Sequence, residues 1–173
     1  MDLLAGDGSI APWEAWVRGT ALSHYVLTHA WLWPAMETLH YFGLSLLLGT
    51  VGLFDLRVLG MAKPIPPAAL HRLIPLGVAA WLLNLGTGIV FFSGFPEQYA
   101  YNHAFHFKLA FMALAGLNVM VFYSGPFRQV RAMRAGDDAP AAAKVMAGTS
   151  LCAWVAVLVC GRLLTFFRPP FFH

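Results

Sequence analysis

Long apolar stretches constrain this chain more than anything else in it: residues 33–59, 67–92, 102–123 and 143–167 are each long enough to cross a hydrocarbon core, which takes about 20 helical residues. The punctuation between them agrees. Pro34 suits a first helical turn, Pro66-Pro67 opens the second stretch, and Gly94-Phe95-Pro96 and Ser124-Gly125-Pro126 close the second and third. Charged residues are 11% of the chain and apolar ones 59%, against a charged fraction of about 25% in soluble domains. The expected fold is therefore all-α: an integral membrane bundle of four transmembrane helices, one domain over 1–173, with an N-terminal interfacial amphipathic helix over about 9–30. That last segment rests on Ser9 as an N-cap, Pro12 in the first turn, and Trp13, Trp16, Val17 and Ala21 at helical spacing.

Basic residues predict an orientation. Arg57, Lys63 and Arg72 flank the first connection and Arg128, Arg131, Arg134 and Lys144 the third, seven of the eleven in the chain. Arg18, Lys108, Arg162 and Arg168 fall on the other side, whose connection from Ser93 to Tyr101 has none. The positive-inside rule then places both basic loops in the cytoplasm and both termini in the periplasm of a bacterial inner membrane. Trp31, Trp33, Tyr99, Tyr101, Phe166 and Phe167 form an outer aromatic belt. The Met1-Asp2-Leu3-Leu4 start has no basic region or apolar core, so the first span is expected to act as its own insertion signal. Cys152 and Cys160 lie about 12 Å apart along one helix, too far for a disulfide. The basic charge sits in loops rather than on a continuous face, which argues against nucleic acid. No Ser/His/Asp arrangement, phosphate loop or paired-cysteine redox motif points to a self-contained enzyme.

Ionisable residues at membrane depth are costly and mark functional sites by default. Counting helical rise from the span ends brings Glu37, His40, His106, Lys108 and Arg162 to one level in the outer leaflet. One reading is a heme b held between His40 and His106, with Lys108 and Arg162 as propionate partners, Glu37 orienting a histidine, and Gly43, Gly49, Gly52, Gly86 and Gly88 making room for a flat macrocycle. A second is copper, on Met36, His40, His103 and His106. The plain alternative is structural: histidines satisfied by neighbours, Arg162 neutralising Glu37, and glycines serving helix packing. Asp55, Arg57, His71 and Arg72 suggest a polar clamp at the cytoplasmic side, and Asn84 and Asn118 are expected to bond across helices.

The runs Glu37-Thr38-Leu39-His40-Tyr41-Phe42-Gly43 and Asp55-Leu56-Arg57-Val58-Leu59-Gly60, with Phe107-Lys108 and Gly116-Leu117-Asn118, resemble a family of small uncharacterised bacterial four-helix inner-membrane proteins. More remotely they are similar to the membrane domain of copper-resistance protein D and to four-helix membrane b-type cytochromes. The likeness runs from about Trp13 to Tyr123 and implies fold and location first. The expected function is a small cytochrome b-like electron carrier with heme iron on His40 and His106, in contact with membrane lipid and with a quinone, a membrane dehydrogenase or a periplasmic redox protein. Copper binding or transport and a non-redox accessory subunit are the alternatives, and a homo-oligomer is compatible with each.

Overall fold

The computed structural model describes residues 11–167 and is all-helical there. Two short helices come first, α1 (Pro12–Arg18) and α2 (Ala21–Thr28). Pro12 pre-sets the first turn of α1, and Glu14 reaches back to the Ala11 N–H at 3.3 Å. Thr20 caps α2 by accepting from the Ser23 N–H at 3.2 Å. The segment expected as one helix over 9–30 is thus broken at Gly19-Thr20, and residues 9 and 10 lie outside the described part, as does Arg168.

Then follow α3 (Leu32–Val58), α4 (Pro67–His71), α5 (Ile74–Gly94), α6 (Pro96–Ala100), α7 (His103–Ser124), α8 (Phe127–Ala132) and α9 (Ala141–Leu163). Among the described residues four helical stretches are long and apolar enough to cross a membrane: α3, α4 with α5, α7 and α9. The fourth ends at Leu163, short of the expected residue 167. Leu76, Leu82, Leu114, Leu117 and Val121 stand exposed on the outward faces of α5 and α7, apolar surface of a kind that soluble monomers avoid in such extent.

The packing order decides where a site can form. α5 lies along α3, α3 along α9 and α9 along α7, while α5 and α7 share no comparable seam. Close approach in the α3–α5 seam depends on glycine: a Cβ on Gly77 would stand 2.6 Å from Thr50 Oγ1, and one on Gly43 2.8 Å from Asn84 Nδ2. Asn118 bonds across helices as expected, donating to the Met146 carbonyl at 3.0 Å, whereas Asn84 donates to Ala80 on its own helix.

Both basic connections meet at one end of the bundle. Arg57, fully buried, donates through Nε to the Ile65 carbonyl at 2.5 Å and through Nη2 to the carbonyls of Asp137 (3.2 Å) and Arg134 (3.3 Å). The Gly136 N–H donates to Lys63 O at 2.8 Å, and Asp138 pairs with Lys144 (3.1 Å) and Lys63 (3.3 Å). Those two ammonium groups hold the Asp138 carboxyl below its usual range. The expected four-residue clamp is therefore divided: Arg57 ties the loops together, His71 Nε2 meets the Tyr123 hydroxyl at 3.0 Å, and Asp55 turns into the bundle. At the opposite end α1 is joined to α6 by an Arg18–Glu97 ion pair, and Trp13 packs on Tyr101 with ring centroids 6.2 Å apart.

Candidate functional site

Each long helix presents a stripe at three- and four-residue spacing to the bundle axis, the period that keeps side chains on one helical face. On α7 it runs Phe105, Lys108, Leu109, Met112, Gly116, Val119 and Tyr123, and on α3 His40, Leu44, Leu47, Val51, Phe54 and Asp55. Because α5 and α7 are not sealed together, these stripes line a cleft between all the long helices. It has two compartments, of about 240 Å³ around His40 and Lys108 and about 450 Å³ beside Asp55, which share Leu47, Trp81, Met112 and Trp154 in their walls.

The smaller compartment holds the most defined chemistry. Thr87 Oγ1 stands 2.9 Å from the Leu83 carbonyl and 3.1 Å from that of Asn84, so its proton is committed to its own helix. Its oxygen is then an acceptor for His40 Nδ1, 2.7 Å away. With the hydroxyl proton assigned in that way, the ring carries its own proton on Nδ1, which leaves the neutral imidazole a lone pair on Nε2. Nε2 has no partner among the described residues, and His40 lines the cleft. Phe91 buttresses the ring edge-on at 5.6 Å. Lys108 lines the same compartment without an ion-pair or hydrogen-bond partner among the described residues, and no acidic residue shares that wall. Trp81, Phe92, Phe105 and Trp154 supply aromatic surface. A neutral nitrogen base and an ammonium group thus share a mostly apolar cleft, a fit for a flat apolar ring that bears both an acceptor-seeking centre and an anionic or carbonyl group.

The other residues of the outer level are placed elsewhere. His106 is exposed, with Nε2 donating to the Ala100 carbonyl at 2.7 Å, and lies outside the cleft beside His103, ring centroids 6.2 Å apart. Arg162 is exposed and lies over the Phe166 ring at 5.6 Å. Glu37 is also exposed, near enough to Tyr99 to help burial push that phenol up to about 12. The structure brings together His40 and Lys108 from the expected set. The glycines divide likewise: Gly43 serves packing, Gly88 lines the cleft, and Gly49 and Gly86 have nothing within 4 Å of a Cβ position. Among the described residues no three His, Cys, Asp or Glu side chains gather as they would around an ion.

Compared with protein-family models, curated proteins and solved structures, the chain matches none of them. The site must therefore be judged on its own groups. Thr87 and Trp154 were absent from the sequence reading, and Asp55 was assigned there to the wrong surroundings. Thr87 is legible in retrospect as a hydroxyl one turn from Asn84 on the buried face of α5 that meets α3. Trp154 Nε1 is buried with no hydrogen-bond partner, in the wall common to both compartments.

Proposed function

We propose that this chain is a cytochrome b-like electron carrier of the bacterial inner membrane, with both termini periplasmic and heme b in the outer compartment of the cleft. The single observation that carries the reading is the His40–Thr87 hydrogen bond. Histidines that ligate metals donate their other ring N–H to a fixed acceptor, which sets the tautomer and raises the basicity of the ligating nitrogen. His40 has that arrangement, with Nε2 left to the cleft.

The side chains offer heme a smaller set of groups than the sequence suggests, and a compartment of about 240 Å³ is smaller than a heme, so the ring would extend through the open side between α5 and α7. His40 would hold the iron from the protein side, Lys108 would pair with a propionate, and Trp81, Phe92 and Phe105 would cover the ring. Heme iron supplies a one-electron couple when bound. The chain's own work is to orient the imidazole through Thr87, to place one positive charge at the cleft wall, and to keep water from the ring. His106, with its nitrogen on the Ala100 carbonyl, is not part of this proposal.

Orientation is supported by the joined basic loops at the Arg57 end, and by Trp13, Trp31, Tyr101, Phe166 and Phe167 around the other. On that reading α1 and α2 rest at the outer interface, and the unsealed side between α5 and α7 faces lipid, where a quinone could exchange electrons. The test is heme content in protein purified from heme-replete cells: a stoichiometric pigment supports the assignment, and a colourless preparation sinks it.

A further inference from the structure

The larger compartment lies toward the loop end of the bundle and has chemistry of its own. Among the described residues Asp55 is the only charged one in its wall. It stands fifteen residues along α3 from His40, about 22 Å away at 1.5 Å per residue. Asp55 is 6% exposed, forms no ion pair among the described residues, and leaves Oδ2 without a hydrogen-bond partner. Arg57, although only two residues on in sequence, is turned away into the loops. Phe54, Trp81, Phe122, Tyr123 and Trp154 line the same compartment.

We propose that this inner compartment binds a lipophilic organic cation, with Asp55 as its counter-charge and the aromatic side chains as its walls. A carboxylate at membrane depth is expensive without an opposite charge, and a cation within it offsets that cost. Aromatic faces attract cations most strongly where water is excluded. The missing α5–α7 seam gives such a ligand a route from the hydrocarbon phase, since a molecule that partitions into lipid need not pass the loops. A volume of about 450 Å³ falls in the range of small-molecule sites, about 300–1,000 Å³. Anions are disfavoured by Asp55, and a fully apolar ligand leaves the carboxyl with Ser150 alone as its bonding partner among the described residues, Oδ2 staying unpaired. The site is separate from the heme proposal and stands if that proposal fails.

Tetraphenylphosphonium is a suitable probe, titrated into the detergent-purified full chain and followed by tryptophan fluorescence and calorimetry, with triphenylphosphine oxide as the uncharged control. Saturable binding of the cation is expected, weakened about tenfold or more in Asp55→Asn and preserved in His40→Ala, with no comparable binding of the neutral control. Gly116→Leu is a second variant that leaves the charge in place: its Cβ position has nothing within 4 Å and its side chain enters the compartment, so it too should weaken binding. Equal affinity in the wild type and in a folded Asp55→Asn protein, or no saturable binding by the wild type, overturns the proposal. Unchanged binding in Gly116→Leu removes the compartment as its location.

Discussion

Arg57→Met tests how the bundle is closed at its loop end. The wild-type guanidinium is fully buried and donates to three carbonyls, Ile65, Arg134 and Asp137, drawn from both basic connections. Hydrogen bonds to a charged group are worth about 1.5–3 kcal/mol each. The gross loss is smaller than their sum, because all three carbonyls belong to exposed residues that water can reach once the loops loosen. Burying the guanidinium, with Nη1 unpartnered, also costs the wild type part of its gain. A net destabilisation of about 2–4 kcal/mol follows. Methionine keeps the apolar stem, so cavity formation adds little. The assay is reversible unfolding of the detergent-solubilised protein in SDS, read by tryptophan fluorescence, together with trypsin cleavage at Arg134. Arg57→Lys should recover less than half of the loss, since an ammonium cannot reach three divergent carbonyls. A change under about 0.5 kcal/mol in Arg57→Met, with no gain in cleavage, would refute the reasoning.

Three further outcomes follow from particular contacts. Thr87→Val removes the acceptor that fixes the His40 tautomer and should weaken heme binding about 10–100-fold while leaving the helical signal in circular dichroism intact. Gly77→Ala should cost about 1–3 kcal/mol in SDS unfolding, because the new Cβ meets Thr50 at 2.6 Å, whereas Gly86→Ala, with open space around it, should be neutral or stabilising. Asp138 is held below its usual range by Lys144 and Lys63, so its contribution is present above the unfolded carboxyl value and is lost as pH falls through the folded one. Asp138→Asn should therefore flatten the acid side of a stability–pH profile and leave the alkaline side unchanged.

Length and hydropathy were enough to find the long helices, because a membrane-crossing helix needs a continuous apolar run and the proline and glycine breaks bound it. Depth was legible too, from rise per residue. Rotation about the helix axis was not used, and it decides the site. His106 and Lys108 are two residues apart, about 200° around an α-helix, so a Lys108 in the cleft turns His106 out of it. The same arithmetic separates Asp55 from Arg57: one lines the cleft and the other holds the loops. Arg162 shares the outer level but falls off the cleft stripe of α9, which ends at Val157. Thr87 went unnoticed because a lone hydroxyl in an apolar run carries little signal until its histidine partner on the neighbouring helix is known. The broken N-terminal helix follows from Gly19-Thr20, where glycine weakens one helix and threonine caps the next.

The central claim is that His40 alone, oriented by Thr87, presents a ligating nitrogen to the cleft. Reduced-minus-oxidised absorbance spectra of wild type, His40→Ala and His106→Ala, each purified from heme-replete cells and shown to be folded, test it most directly. The account predicts a Soret band and α-band change in wild type, their retention in His106→Ala, and their loss in His40→Ala. A colourless wild type, or a folded His106→Ala that loses the pigment as completely as His40→Ala, would contradict it.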